Sequence, residues 1–227
     1  MKTVKIAIDG PAGAGKSSVA KAAAKRLGYI YVDTGAMYRT VGLFVLKSGL
    51  NPKNKKDVLS VLDGAAIDIK YINGTQNIFL NGENVSDEIR KPEVSVAASD
   101  VAVVGEVRRR MVELQRELSK RENVIMDGRD IGTRVLPDAD VKIFLTASAE
   151  ERASRRYKEL VEKGTECSYE EVLKDIKYRD KNDSEREIDP LRPADDSIII
   201  DTTGLDVEQS EKLIVDTVNK KLNFGDE

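Results

Sequence analysis

Short, mainly apolar runs recur along the chain, and each ends at glycine, proline or a polar residue. The first run covers residues 4–8 and stops at Asp9, Gly10 and Pro11. Runs without polar alternation, bounded by turn residues, are typical of strands that are buried on both faces of a parallel sheet. The pattern predicts such strands at residues 4–8, 29–32, 123–126, 141–145 and 197–200.

Apolar residues with helical spacing occupy longer segments between and after these strands. They predict helices at residues 17–27, 35–47, 107–119, 149–162 and 207–221. Strands that alternate with helices favour right-handed βαβ units, and therefore an α/β fold with a doubly wound parallel sheet of about five strands. Residues 223–227 follow the last predicted helix, and we expect them to fray.

One segment departs from this alternation. Apolar and polar residues alternate over residues 67–71, and Asn-Gly pairs follow at residues 73–74 and 81–82. Asn-Gly is the strongest short-range signal of a β-hairpin, because a type I′ turn needs positive φ at both central residues. We therefore predict a small antiparallel meander, inserted at residues 62–95 between the second and third parallel strands.

Length and charge limit the organisation and the partners of the chain. Its 227 residues are enough for a single domain with an insertion, which we take to span residues 1–227. A net charge of −3 gives no support to nucleic-acid binding. No apolar stretch approaches the length of a membrane-spanning helix, so we expect no membrane insertion. No large apolar patch is apparent outside the predicted core, so we expect a monomer.

Histidine is absent and cysteine occurs once, at Cys167. The absence of histidine excludes Ser-His-Asp and Cys-His triads and His-ligated zinc. A single cysteine excludes an intrachain disulfide and suits a reducing compartment. Asp9 interrupts the first apolar run too early for a signal peptide. We therefore expect a cytoplasmic protein, in which Cys167 has no evident role.

The segment after the first predicted strand matches the phosphate-binding pattern G-x-x-x-x-G-K-[ST] and opens a predicted helix. It comprises Gly10, Pro11, Ala12, Gly13, Ala14, Gly15, Lys16 and Ser17. Glycines let backbone N–H groups surround phosphate oxygens, and the helix N-terminus adds its positive dipole. Lys16 can reach the β- and γ-phosphates, and the Ser17 hydroxyl can bind Mg²⁺. The pattern predicts a P-loop nucleotide-binding protein, with an ordinary glycine-rich turn as the alternative.

Asp127 follows the third predicted strand, where a carboxylate would support Mg²⁺ through water. The alternative is a solvated residue at a strand end. A P-loop alone does not separate a switch GTPase, an ATPase motor and a small-molecule kinase. The sequence Asp-Lys-Asn-Asp at residues 180–183 follows no apolar strand, which disfavours a guanine-binding loop.

Arginines recur near the ends of predicted strands and the starts of predicted helices, where doubly wound folds bind their ligands. They are Arg39, Arg108, Arg129, Arg134, Arg152, Arg156, Arg179 and Arg186. Phosphoryl transfer between two anions needs such a cluster to neutralise the transferred group.

The spacing of two groups within this set is informative. Arg152 and Arg156 are four residues apart, and Arg179, Asp183 and Arg186 would share one stripe of a second helix. The two helices could form a lid over residues 149–190 that carries positive charge onto bound phosphates and excludes water. Salt-bridged surface helices are the alternative.

Together these motifs resemble those of the bacterial cytidylate kinases, the (d)CMP kinases of the nucleoside-monophosphate kinase group. The matching segments are IDGPAGAGKSS (8–18), DTGAMYR (33–39), AAS (97–99), DGRDIGT (127–133), KIFLTAS (142–148), and IKYRDKND (176–183) with Arg186. The resemblance covers nearly the whole chain, and in this family the meander elaborates the monophosphate-binding region. It implies a P-loop NTPase-type fold and transfer of phosphate from ATP, with Mg²⁺, to CMP or dCMP.

The resemblance also implies roles for individual residues. The acceptor phosphate would be held by Arg39 and Arg129; the cytosine would be recognised by Thr34, Arg108, Asp130 and Arg186; the sugar would be contacted by Ser99, Arg179 and Asp183, with Tyr38 in the pocket wall. The ATP-binding set would be residues 10–18, including Ser18, together with Arg152 and Arg156. Lys16, Arg129, Arg179 and Arg186 would stabilise the transferred group, with Ser17 and Asp127 at the metal.

Several of these residues have structural alternatives. Thr34 could be the N-cap of a helix that starts at residue 35. Ser99 could be a small helix residue in the core, Tyr38 could be ordinary packing, and Asp130 could form a structural salt bridge with Arg129 or Arg134. Two other functions also stay open, a P-loop kinase with a different acceptor and a nucleotide-dependent regulatory module.

Overall fold

Five parallel strands form the central sheet of the computed structural model, which describes residues 3–120 and 122–222. These strands are β1 (Lys5–Asp9), β2 (Ile30–Asp33), β6 (Val124–Gly128), β7 (Val141–Thr146) and β8 (Ile198–Asp201). Their lateral order is β2-β6-β1-β7-β8, and every neighbouring pair is parallel. The predicted doubly wound parallel sheet is therefore confirmed, with strand ends shifted by one or two residues.

The five helices that the sequence pattern predicts are present, again with small shifts at their ends. They are α1 (Lys16–Leu27), α2 (Thr34–Lys47), α5 (Gly105–Leu118), α6 (Ala149–Glu162) and α8 (Val207–Leu222). Because helices cover both sides of the sheet, its strands need no polar face, which explains why their residues are mainly apolar.

Alternate residues of β1 serve two separate cores. Ile6 and Ile8 lie in one buried cluster that includes Val215 of α8, whereas Ala7 lies in another that includes Val112 of α5. The site at the end of this strand therefore rests on packing from both sides of the sheet.

A second, antiparallel sheet lies in the predicted insertion. Its strands are β3 (Ile67–Ile72), β4 (Thr75–Leu80) and β5 (Glu83–Asn84). Asn73 and Gly74 have φ of 51° and 73°, and Asn81 has φ of 51°, as type I′ turns require. The predicted antiparallel meander is therefore confirmed.

Two helices were not identified from the sequence, α3 (Lys55–Leu62) and α4 (Pro92–Val101). The segment of α4 is rich in alanine and serine, so its apolar periodicity is weak. It is stabilised by close packing on α2, where a Cβ on Gly42 would lie only 2.9 Å from the Ala98 backbone nitrogen. Glycine at this position lets the two helix backbones approach each other.

The second helix of the predicted lid is α7 (Tyr169–Glu185). Arg186 lies outside it, with φ −63° and ψ 142°, so the predicted helical stripe of Arg179, Asp183 and Arg186 is wrong at its last member. The backbone becomes extended there, and Arg186 Nε donates to the Asp189 carbonyl oxygen at 2.7 Å.

None of the helices within residues 3–120 and 122–222 combines the length and apolar character that a membrane span requires. The fraying expected of residues 223–227 concerns residues outside the described part.

Candidate active site

The P-loop turns sharply between β1 and α1, as the motif predicts. Gly10 has φ of 149°, and a Cβ there would lie 1.9 Å from the Leu145 carbonyl oxygen of β7. Gly13 and Gly15 have φ of 75° and 83°, in the region that favours glycine. Helix α1 begins at Lys16, so the loop meets the free N–H groups of its first turn.

Lys16 lies buried in this loop, and its Nζ donates to the Pro11 carbonyl oxygen at 2.7 Å. Burial, followed by the proximity of Arg129, holds the pKa of Lys16 well below its usual range. A polyanionic ligand would favour the ammonium form, because an opposite charge stabilises the charged state of a buried group.

Asp127, at the end of β6, and Ser17, on the first turn of α1, meet directly. The Ser17 hydroxyl donates to Asp127 Oδ2 at 2.7 Å, and the hydroxyl of Tyr31 donates to Asp127 Oδ1 at 3.0 Å. Burial and the neighbouring Asp33 raise the pKa of Asp127. A hydroxyl and a carboxylate are hard oxygen donors of the kind that Mg²⁺ uses.

The residues present fit Mg²⁺ held jointly with phosphate better than a metal held by protein alone. Within residues 3–120 and 122–222, no cluster of three or more carboxylate or thiol residues could hold a metal. Mg²⁺ is commonly bound by one or two protein groups together with substrate phosphates and water. Ser17 and Asp127 provide such a partial ligand set.

Asp33 and Thr34 join the insertion and α2 to the strand ends. Asp33 pairs with Arg39 at 2.8 Å and with Arg90 at 3.1 Å. Although burial opposes it, these two arginines hold the pKa of Asp33 below its usual value. Asp33 is also the N-cap of α2, so the alternative of Thr34 as N-cap is wrong. The Thr34 hydroxyl instead donates to the Asp127 carbonyl oxygen at 2.6 Å.

The loop after β6 carries Arg129, which pairs with a carboxylate, and Asp130, which lies among arginines. Arg129 Nε donates to Asp183 Oδ2 at 2.7 Å. Asp130 accepts from Arg108 and lies 3.6 Å from Arg186 Nη2. The structural alternative for Asp130, a salt bridge with Arg129 or Arg134, is not what the structure contains. Because burial outweighs both arginines, the pKa of Asp130 is raised.

Asp9 anchors the same loop from β1. Its carboxylate accepts from the backbone nitrogens of Ile131 at 2.8 Å and Gly132 at 2.7 Å, inside a single π-helical turn (Ile131–Val135). Burial raises the pKa of Asp9 to about 6, against the two backbone hydrogen bonds. The strand that leads into the P-loop thus also fixes the loop that carries Arg129 and Asp130.

Asp183 lies between two groups of polar side chains. It pairs with Arg129 at 2.7 Å on one side and lies 3.8 Å from Arg186 on the other. Although burial opposes it, these two arginines hold the pKa of Asp183 below its usual value. The carboxylate therefore connects an arginine group around Arg129 with the polar group around Asp130.

Arg179 belongs to the first of these groups. Burial and the neighbouring Arg129 lower the pKa of Arg179 to about 10, and Arg39 and Arg156 act in the same direction. Cations held this close together create a strongly positive pocket for an anion.

Several buried polar atoms of the predicted site have no hydrogen-bond partner among the described residues. They are Tyr38 Oη, Arg39 Nε, Ser99 Oγ, Arg179 Nε and Arg186 Nη2. Buried polar atoms are usually paired, so unpaired ones need an explanation. A polar ligand would satisfy this set. The packing alternatives for Ser99 and Tyr38 account for neither unpaired hydroxyl.

Arg152 and Arg156 of α6 have different surroundings. Arg152 is buried; Nη1 donates to the Ala12 carbonyl oxygen at 2.9 Å and to Asp180 Oδ1 at 3.0 Å. It thus ties the P-loop to α7. Arg156 pairs with Glu159 on its own helix at 2.7 Å. Ser18 is an exposed residue of α1, and Cys167 packs beside the cluster between α6 and α7.

The residues that hold these groups in place have no role predicted from the sequence. They are Asp9, Tyr31, Asp33, Gln76, Arg90, Asp180 and Asp189. A sequence signal exists for Asp9 and Asp33, since each is an acidic residue that ends an apolar strand. The pairing of Asp180 and Asp189 with distant arginines leaves no local signal.

Known proteins resemble this chain in sequence and in fold. A family model described as cytidylate kinase matches residues 6–221. A cytidylate kinase of Caldicellulosiruptor bescii is 56% identical over 209 residues, 92% of each chain. One from Thermosipho africanus is 51% identical over 217 residues, 96% of this chain and 95% of the relative. A crystal structure of an uncharacterized Eubacterium ventriosum protein shares the fold, with a TM-score of 0.53 at 17% identity, covering 96% and 99% of the two chains.

Proposed function

The chain belongs to the cytidylate kinase family, and from that premise we propose how its own residues carry out the reaction. The protein transfers phosphate from ATP to CMP and dCMP. We infer an in-line transfer of the γ-phosphoryl group to an oxygen of the acceptor phosphate. That oxygen is largely anionic at neutral pH, since the second phosphate pKa is about 6, so no general base is needed. This agrees with a chain that lacks histidine.

On the ATP side, the P-loop backbone would bind the phosphates and Lys16 would lie against the β- and γ-oxygens. Ser17 and Asp127 would hold Mg²⁺, which supplies charge neutralisation at those oxygens. Arg129 and Arg179 would stabilise the transferred group from the opposite side, because charge on its equatorial oxygens has to be neutralised.

The acceptor pocket supports CMP through its two chemically different ends. Arg39, Arg129 and Arg179 form a cationic end suited to the acceptor phosphate. Arg108, Asp130 and Arg186 form the other, mixed end, and Asp183 connects the two. The observation that carries this proposal is the set of buried, unpaired donors at both ends, defined above.

The mixed end has the hydrogen-bond donors and acceptors that cytosine requires. Cytosine offers an amino donor together with N3 and O2 acceptors, so it needs both an acceptor and donors from the protein. Asp130 and the Thr34 oxygen would accept from the amino group, because the Thr34 hydroxyl already donates to the Asp127 carbonyl oxygen. Arg108 and Arg186 would donate to N3 and O2. Uracil reverses the donor and acceptor at two of these atoms, which leaves a buried group unpaired and weakens its use.

A panel of acceptors tests this assignment. ADP release would be measured with ATP and Mg²⁺ against CMP, dCMP, UMP, AMP, GMP and shikimate. We expect rapid turnover with the two cytosine nucleotides and much slower turnover with the others. Turnover with shikimate alone would replace the proposed base-binding residues, and no acceptor-dependent ADP would favour a regulatory module.

We further propose that residues 149–190 act as a lid and that residues 62–95 help to hold the monophosphate. The Arg152 bridge between the P-loop and Asp180 of α7 supports movement of the lid with bound ATP. Limited proteolysis at residues 163–168 should slow when ATP and CMP are both bound. Equal cleavage with and without both nucleotides would contradict the lid.

Finally, we propose a cytoplasmic monomer that acts on small nucleotides without nucleic acid or membrane. The net charge of −3 supports the absence of nucleic acid among its partners. Light scattering of the purified protein tests the oligomeric state, and a stable dimer would refute the monomer.

A further inference from the structure

Each oxygen of the Asp127 carboxylate has its own side-chain donor. Ser17 donates to Oδ2 at 2.7 Å, and Tyr31 donates to Oδ1 at 3.0 Å. Ser17 is exposed on the first turn of α1, whereas Asp127 is buried at the strand end. The Tyr31 bond therefore comes from the side of the sheet, and the Ser17 bond comes from the side of the nucleotide.

Tyr31 is itself fixed by its strand and by the core. Its backbone pairs with Ile125 in the β2–β6 ladder, and its ring packs against the cluster that contains Ile8. A side chain held in this way can impose an orientation on its partner. A carboxylate, by contrast, rotates easily about its terminal bond, so hydrogen bonds decide where its oxygens point.

We propose that Tyr31 is a positioning residue, which fixes the Asp127 carboxylate so that Oδ2 faces Ser17 and the site for Mg²⁺. This inference rests on the proposed metal site. A phenol is suited to the task because it donates one hydrogen bond without adding charge beside the metal. Partners behind a metal-binding carboxylate commonly set metal affinity by about ten- to a hundredfold.

Tyr31→Phe removes the hydroxyl and keeps the ring. The matched control is Tyr71→Phe, which removes the neighbouring hydrogen bond to the Tyr31 backbone but does not touch Asp127. Calorimetry would measure ATP binding with Mg²⁺ and again with EDTA, which gives a readout independent of turnover. We expect Tyr31→Phe to weaken ATP binding about tenfold with Mg²⁺ and hardly at all in EDTA. Tyr71→Phe should match wild type in both.

Asp127→Asn separates failure of this inference from failure of the metal site. If Asp127→Asn loses the Mg²⁺-dependent part of ATP binding and Tyr31→Phe retains it, Tyr31 has no positioning role. If Asp127→Asn also retains it, the metal site and the inference both fail. If Tyr31→Phe loses as much affinity for ATP in EDTA as with Mg²⁺, the effect is structural and the inference is overturned. The same holds if Tyr71→Phe loses as much affinity for ATP as Tyr31→Phe does. Thermal unfolding without Mg²⁺ confirms that the variants are folded.

Discussion

The ATP side and the acceptor side of the candidate site are built in different ways. The ATP side is one continuous segment, residues 10–18, joined by Asp127. The acceptor side gathers Arg39 from α2, Arg108 from α5 and Arg179 from α7. Backbone N–H groups supply many of the donors on the first side, whereas ion-paired side chains supply them on the second.

The difference shows how a protein can hold many arginines in one pocket. On the acceptor side, Asp33, Asp130 and Asp183 each contact two arginines, which limits repulsion between the cations. The buried donors left unpaired support the proposal of a polar ligand at this side. Variants should therefore affect the two sides differently, through chemistry on the ATP side and through both stability and selectivity on the acceptor side.

The largest effect is expected from Lys16→Met on the ATP side. The substitution keeps the length of the buried side chain but removes the ammonium group, so charge on the transferred phosphate loses its stabilisation. We expect kcat to fall by about 10³-fold or more, with a much smaller change in the free energy of unfolding. Steady-state kinetics and urea unfolding measure the two quantities.

Lys21→Met, on an exposed position of α1, is the matched control and should leave both quantities unchanged. If Lys16→Met lowers the free energy of unfolding by as much as it raises the activation free energy, the loss of kcat comes from the fold. That result would contradict a purely catalytic role of Lys16.

The next largest effect is expected from Asp130→Asn on the acceptor side. This variant leaves the buried Arg108 and Arg186 without their shared carboxylate. Removing one partner of a buried ion pair costs about 3–5 kcal/mol. We also expect kcat/KM for CMP to fall by about 10²-fold or more, with less effect on UMP, because a buried polar contact to cytosine is lost.

Asp189→Asn is a matched control for Asp130→Asn. Asp189 contacts the same Arg108 at 3.3 Å but is more exposed, and asparagine tolerates its positive φ of 48°. It should lower stability less and preserve the preference for CMP over UMP. An equal loss of that preference in both variants would contradict base recognition by Asp130.

Asp9 connects the two sides and should make stability depend on pH. Its pKa is about 6 in the folded protein, above the ordinary value of 3.8, so the folded state binds the proton first as pH falls. The stabilisation is present at low pH and is lost as pH rises through about 6. Between about pH 7 and 4, the unfolding free energy of wild type should rise relative to Asp9→Asn by up to about 3 kcal/mol.

Urea unfolding of wild type and Asp9→Asn across this pH range tests the prediction. Groups that titrate equally in both proteins cancel in the difference. A difference that stays constant from pH 7 to 4 would show that folding does not raise the pKa of Asp9.

The sequence predicted the sheet and the turn of the P-loop well, because their signals are local. Mainly apolar runs indicated the strands, and the P-loop pattern placed Lys16 and Ser17 at the start of α1. Helix α4 was missed because its small residues are selected by packing on α2, which no periodicity reveals. A helical pattern was also extended one residue too far, to Arg186.

Beyond the P-loop itself, the sequence indicated the arginines but not their partners. Arg108 and Asp189 are 81 residues apart, and Arg152 and Asp180 are 28 apart, so no spacing rule connects them. Tyr31 was missed for the same reason, since its role depends on the neighbouring strand β6. Contacts of this kind depend on the tertiary fold, and local propensity carries no information about them.

The smallest effect is expected from Ser18→Ala, compared with Ser17→Ala. Both serines are exposed on the first turn of α1, but only the Ser17 hydroxyl contacts Asp127. If Ser18 binds ATP through its backbone N–H, Ser18→Ala should change the KM for ATP by less than about twofold. Ser17→Ala, by contrast, should weaken Mg²⁺-dependent ATP binding about tenfold. Titrations of ATP and Mg²⁺ compare the two variants at matched stability. An equal loss in Ser18→Ala would mean that side chains, and not only the backbone, bind phosphate beyond Ser17, and the contrast between the two sides would then be smaller.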